Sequence, residues 1–220
     1  MPRPRKNQEG PTAVERIETA FWDILAEKPY AKISVGEIAR QAQINKNAFY
    51  YHFDNLDDLA KTAVENALPV ELLRALLSEF MGKDAGFTPL ITEPEHLRRF
   101  DRICLVVGHH GTPALQGTLK AAMRNAWRDV LGIRVESLGA ESLLMMEFVF
   151  GGLFSLWAYR AENLPDMTLQ DLFESDFMRL LQQTLPSLVL ATFEKDGAID
   201  GSSPLRKLEA TQHLPCLAQV

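Results

Sequence analysis

Apolar residues return at helical intervals through most of the chain. Val14, Ile17, Phe21, Ile24 and Leu25, with Ala20 beside them, fall on one stripe of an amphipathic helix. Thr12-Ala13-Val14-Glu15, a capping-box pattern preceded by Pro11, opens that helix, and Lys28-Pro29-Tyr30 ends it. A second capping box, Ser34-Val35-Gly36-Glu37, opens a short helix with Val35, Ile38, Ala39 and Ala42 inward. Gln43-Ile44 makes a tight connection, and Asn45 caps a third helix over 46–53. Asn55 caps a fourth, with Asp57 and Asp58 in its first turn, where the helix dipole favours anions.

The pattern stays helical afterwards. The fourth helix runs to Pro69, with a fresh start over 70–81 and a Gly- and Pro-bearing loop over 82–90. Thr92-Glu93-Pro94-Glu95 begins a helix with Leu97, Phe100, Ile103, Cys104 and Val107 on one stripe, ending at Gly108. Thr112-Pro113 begins the next, carrying Leu115, Leu119, Ala122, Met123, Ala126, Trp127 and Val130. Gly132 and Gly139 punctuate a connection, and 140–162 is apolar on most sides. Thr168-Leu169-Gln170-Asp171 starts a final long helix with Leu172, Phe173, Phe177, Leu180, Leu181 and Leu185, kinked or split at Pro186 and ended at Gly197. Residues 198–220 show no stripe and read as a flexible tail. With no β alternation and no internal repeat, the fold class is all-α.

Two short helices joined by a tight turn and braced by a preceding helix make a helix-turn-helix unit over about 34–53. In its second helix, Phe49 and Phe53 lie within about 40° of each other and point inward. Asn47 and Tyr51 then project roughly opposite, flanked by Ala48 and Tyr50, with Lys46 and His52 at the edges. A cation, a carboxamide, two phenols, an imidazole and a methyl, uninterrupted by an acid, suit phosphate oxygens and base edges of duplex DNA. Two adjacent tyrosines could equally pack on a neighbouring element. Their place on the second helix of the unit, with the phenylalanines already accounting for the core, favours DNA.

Charge refines this picture. The chain is net −6, so DNA contact must come from a local patch. The first 61 residues hold nine basic and nine acidic groups, and the remainder 14 basic and 20 acidic. Arg3, Arg5 and Lys6, between prolines, form a basic arm unsuited to a core. With 220 residues, 46% hydrophobic and 24% charged, the chain is ordinary globular material rather than a disordered or collagen-like one. Two cysteines exclude a disulfide scaffold and a four-Cys zinc site, and they predict reduced thiols in the cytoplasm. The N-terminus lacks the apolar run of a signal peptide. Residues 143–158, broken by Glu147, Gly151 and Gly152, are short for a membrane span and predict a buried helix.

The run Ile33-Ser34-Val35-Gly36-Glu37-Ile38-Ala39-Arg40-Gln41-Ala42, then Ile44-Asn45-Lys46-Asn47-Ala48-Phe49-Tyr50-Tyr51-His52-Phe53, resembles the DNA-binding domain of TetR/AcrR-type transcriptional regulators. The likeness covers roughly residues 12–60, and beyond it only the helical layout corresponds. It implies DNA contacts from Ser34, Lys46, Asn47, Ala48, Tyr50, Tyr51 and His52. The sequence departs from the family at Leu56, where a lysine is usual, and Asp54 adds a negative charge nearby. Lys61 or the Arg3/Arg5/Lys6 arm would compensate, the arm reaching the minor groove or phosphates.

Four segments follow: a flexible basic arm over 1–11, a DNA-binding domain over 12–60, a helical effector-binding and dimerisation domain over 61–197, and the tail. A helix apolar nearly all round needs a partner for its second face, and Gly151-Gly152 permits close approach. A homodimer is expected, with 140–162 and 168–195 forming a four-helix bundle with their mates and Phe154, Phe177 and Leu181 in the interface. The resemblance implies the same interface. It also implies a cavity for a mostly apolar small molecule, lined by Phe100, Ile103, Cys104, Met123, Trp127, Met145 and Phe148, which could otherwise simply fill a close-packed core. Ligand binding would tilt the DNA-binding heads apart and release a palindromic operator, making the chain a repressor.

Other chemistry is weaker. His109 and His110, near Cys104 and Asp101, point about 100° apart on a helix and chelate poorly together. Cys104 sits on an apolar stripe and serves packing, and no serine-hydrolase, zinc-protease, phosphate-loop or dinucleotide motif occurs. No cofactor, metal or enzymatic activity is expected. The competing readings are a helical protein-interaction module with a degenerate helix-turn-helix, favoured by Leu56 and Asp54, and an all-α metal enzyme.

Overall fold

The computed structural model describes residues 10–68 and 92–199. Both predicted capping boxes close. Thr12 Oγ1 accepts from Glu15 N–H (3.2 Å) while Thr12 N–H donates to Glu15 Oε2 (2.7 Å), and α1 runs Ala13–Glu27. Ser34 and Glu37 exchange the same pair of bonds at the start of α2, Val35–Gln41. Asn45 Oδ1 accepts from Ala48 N–H (2.7 Å) to begin α3, Lys46–His52, and Asn55 Oδ1 accepts from Asp58 N–H (2.9 Å) to begin α4, Leu56–Ala67. The turn between α2 and α3 places Gln43 in the left-handed region at φ 55°, with Ile44 N–H donating to Ala39 O.

The larger body comprises α5 (Pro94–Val107), α6 (Pro113–Leu131), α7 (Ala140–Asn163), α8 (Leu169–Glu174) and α9 (Asp176–Lys195). Helix α4 joins head to body. Its inner face of Leu59, Ala60, Ala63, Val64 and Ala67 is buried, and the small side chains let it lie against α1, α5 and α6 together. Helices α1 and α5 also meet, where the Arg102 guanidinium stands 5.6 Å over the Trp22 ring.

Three expectations need correction. The last long helix is two. Ser175 adopts an extended conformation, its Oγ donating to Leu172 O (2.6 Å) and accepting from Met178 N–H (3.2 Å), so it closes α8 and caps α9. Pro186 lies inside α9 without ending it. The tail does not begin at residue 198. Ala198 and Ile199 are buried, and Ala198 O accepts from Arg134 N–H. Helix α7 buries one face in the single chain, as expected of a helix apolar nearly all round whose second face needs a partner. It has 24 residues, long and apolar enough by length and composition to cross a membrane, and one face stands open to solvent. The other face holds Phe150 and Trp157 in the core, and Glu141, Glu147 and Arg160 interrupt its length. The arm over 1–9, the predicted helix over 70–81, the loop over 82–90 and residues 200–220 lie outside the described residues.

Candidate nucleic-acid interface

Helix α3 is held from behind by two aromatic rings. Phe49 is fully buried and Phe53 nearly so, their ring centroids 5.7 Å apart, and both join the core with Phe21 and Leu25 of α1. The spacing that turns these rings inward turns the polar groups out. Tyr51 is 85% exposed and Tyr50 55%, while Lys46, Asn47 and His52 are exposed and Ala48 half-buried. The Tyr50 ring stands edge-on to Phe49 (5.4 Å) and Tyr51 edge-on to His52 (5.0 Å), and among the described residues no other element covers either phenol. One continuous surface thus offers an ammonium, a carboxamide, two hydroxyls and an imidazole.

The surroundings tune that surface. A Cβ on Gly36 would sit 3.1 Å from Lys46 Cε and 3.4 Å from Nζ, so the lysine lies along the start of α2 because residue 36 has no side chain. Glu37, the nearest acid on α2, is ion-paired with Lys28, and Lys28 and then Ser34 hold its carboxyl below the usual range. Ser34 is exposed but its hydroxyl already donates to Glu37 Oε2 (2.9 Å), so any DNA contact there shares a group with the cap. Tyr30 Oη donates to Asp57 Oδ1 (2.5 Å), and burial followed by that carboxylate pushes the phenol well above its usual range. Asp54 is exposed, and its N–H donates to Asp58 Oδ2. Leu56 is half-buried against the core and Lys61 is exposed on α4, while Arg3, Arg5 and Lys6 lie outside the described residues. Neither Gly36 nor the Lys28–Glu37 pair was singled out from sequence. The contacts they make cross elements, and the Ser34–Glu37 box was the only local trace of them.

The candidate effector residues separate into two groups. Phe100, Ile103, Cys104, Met123 and Trp127 are buried together and Met145 is half-buried. Phe100 packs edge-on against Trp157 (5.2 Å) and Trp127 against Phe150 (5.0 Å). Burial pushes the Cys104 thiol up to about 12, leaving it protonated and unreactive. Trp127 Nε1 is buried without a hydrogen-bond partner among the described residues. Phe148 is 68% exposed and does not line the interior, whereas Phe154, expected at the dimer interface, is 6% exposed and packs on Trp157. Six residues of α-helix carry the chain about 240° round the axis, so these two rings must face different ways. Gly152 is exposed, Gly151 and Leu181 are half-buried and Phe177 is exposed. With Leu143, Leu144, Phe148 and Tyr159 of α7 and Leu180 and Leu188 of α9, they give these helices an open apolar face.

Residues 19–63 match the family model described as bacterial regulatory proteins, tetR family. The matched span runs from within α1, through the helix-turn-helix, into α4, and therefore includes the whole α3 surface.

Proposed function

We propose that this chain, whose residues 19–63 match the tetR family of bacterial regulatory proteins, is a DNA-binding transcription regulator of that family, and specifically a cytoplasmic, homodimeric repressor released from a palindromic operator by a small, mostly apolar effector. The observation that carries the reading is the α3 surface, where Phe49 and Phe53 fix the helix while Lys46, Asn47, Tyr50, Tyr51 and His52 stand in solvent. Lys46 suits guanine or phosphate, Asn47 adenine and the Ala48 methyl a thymine methyl. The phenols and His52 suit backbone oxygens.

Dimerisation is supported by the open face of α7 and α9, because contiguous exposed leucines and phenylalanines mark interaction surfaces. Two recognition helices set ~34 Å apart by such a dimer would meet successive major grooves. An effector is supported by the orphan Trp127 Nε1, since buried donors ordinarily find acceptors and an apolar ligand with one acceptor oxygen would satisfy it. An effector that binds the DNA-free arrangement better lowers operator affinity by linkage.

Selection of bound fragments from genomic DNA tests the central reading. A recurrent inverted repeat is expected. Tyr51→Ala or Lys46→Ala should weaken binding to it with unchanged thermal unfolding, by ~1–3 kcal/mol where a base contact is lost. Failure to enrich any sequence, or variants that bind as well as the parent, would reject a DNA-reading role for this face and favour a protein-interaction module.

A further inference from the structure

The connection between α5 and α6 touches both the head and the end of α7. It is built around a missing hydrogen. Pro29 has no N–H, so Leu25 O, in the last turn of α1, has no helical donor. His110 supplies one, its Nδ1 lying 2.7 Å from that oxygen. A carbonyl only accepts, so Nδ1 carries the proton and donates. The first amide after the proline, Tyr30 N–H, donates back to His110 O (2.8 Å). Tyr30 in turn donates its hydroxyl to Asp57 in the first turn of α4, just past α3.

The neighbouring imidazole lies edge-on against it, ring centroids 4.2 Å apart, but its hydrogen bonds run to α7 instead. His109 N–H donates to Glu162 Oε1 (3.0 Å), and its Nδ1 lies 3.2 Å from the same oxygen. Glu162 stands in the last turn of α7, the helix with the open apolar face. A Cβ on Gly111 would fall 1.8 Å from Val106 O, so the turn closes this tightly only with glycine there. Adjacent histidines therefore hold the head with one side chain and α7 with the other, across a turn with no slack.

We propose that the 108–112 turn is a joint fixing the angle of the DNA-binding head, with His110 as the positioning residue and Glu162 as the lever through which α7 moves it. The purpose of the joint rests on the regulator reading, but its existence does not. The test is amide hydrogen exchange on the full chain without DNA, so DNA selection and this experiment can fail separately. His110→Ala is expected to speed exchange about tenfold across residues 28–33, the ratio corresponding to roughly one net hydrogen bond. His110→Asn, whose carboxamide N–H stands near the position of Nδ1–H, should restore the parent rates. Glu162→Ala touches no head residue, yet it should accelerate the same amides several-fold, and Glu162→Gln, which still accepts from His109 N–H, should not. Acceleration confined to residues 106–112 in Glu162→Ala would overturn the proposal, as would failure of His110→Asn to rescue. If His110→Ala does not fold, the two Glu162 variants and His110→Asn still decide it.

Discussion

Lys46 reaches across the surface of α2 only because Gly36 leaves the space, and the two side chains can be separated experimentally. Gly36→Ala adds a methyl 3.1 Å from the flexible end of the lysine, which moves aside at little cost to the fold. The expected outcome is a gain of about 0.5 kcal/mol in urea unfolding, from reduced chain entropy within a helix, together with weaker operator binding in a gel shift. Gln43 is the opposite kind of position, a non-glycine residue at φ 55°. Gln43→Gly should stabilise the head by ~0.5–1 kcal/mol in the same assay, because the left-handed conformation costs a side chain more than glycine loses in entropy. The orientation of Phe49 and Phe53 was legible in the sequence, since their spacing of four is a helical repeat. The partnership of Gly36 with Lys46 was not, because it spans a turn whose geometry no periodicity encodes.

Helix starts were the most legible elements, because a cap is a contact between residues three apart. The Thr12–Glu15, Ser34–Glu37 and Asn45 caps all closed as their spacing demands. Facing was less legible where a helix is apolar all round. Nothing in the pattern of α7 separates Phe148 from Phe154, and only packing against α5 and α9 decides which is covered. The break at Ser175 was hidden because Phe173 and Phe177 keep the helical spacing of four across it. The caps also set an acid response. Glu15 is held low by Thr12, Glu37 by Lys28 and then Ser34, and Asp171 by Thr168. Arg99 and then Arg98 hold Glu95 lower still, at about 2. Carboxyls whose folded pKa is depressed stabilise fully above their unfolded values and lose that contribution as pH falls through the folded ones. The melting temperature should therefore begin to drop below about pH 4.5, the ordinary glutamate value, and keep falling towards pH 2, as a calorimetric pH series would show.

For the whole molecule, the open face of α7 and α9 makes one assembly prediction. Phe148 is exposed in the single chain, so Phe148→Lys should leave the monomer fold intact. If the face is a dimer interface, burying an ammonium there should raise the dimer dissociation constant ~30-fold or more, seen as a shift to monomer in sedimentation equilibrium. An unchanged sedimentation profile would place the partner of this face elsewhere. The existence of a helical head and a larger helical body was legible because both follow from local periodicity. How the two are joined was not, since the contacts of Trp22 with Arg102 and of Leu25 with His110 link residues some eighty positions apart.

Trp22 has a consequence of its own. The chain has three tryptophans, all buried; Trp127 and Trp157 belong to the body, while Trp22 sits at the seam beneath a guanidinium. With the other two replaced by phenylalanine, ultraviolet emission from a single indole would report whether that cation is overhead. The seam thus contains a native optical gauge of its own opening, readable in stopped flow without attached dyes.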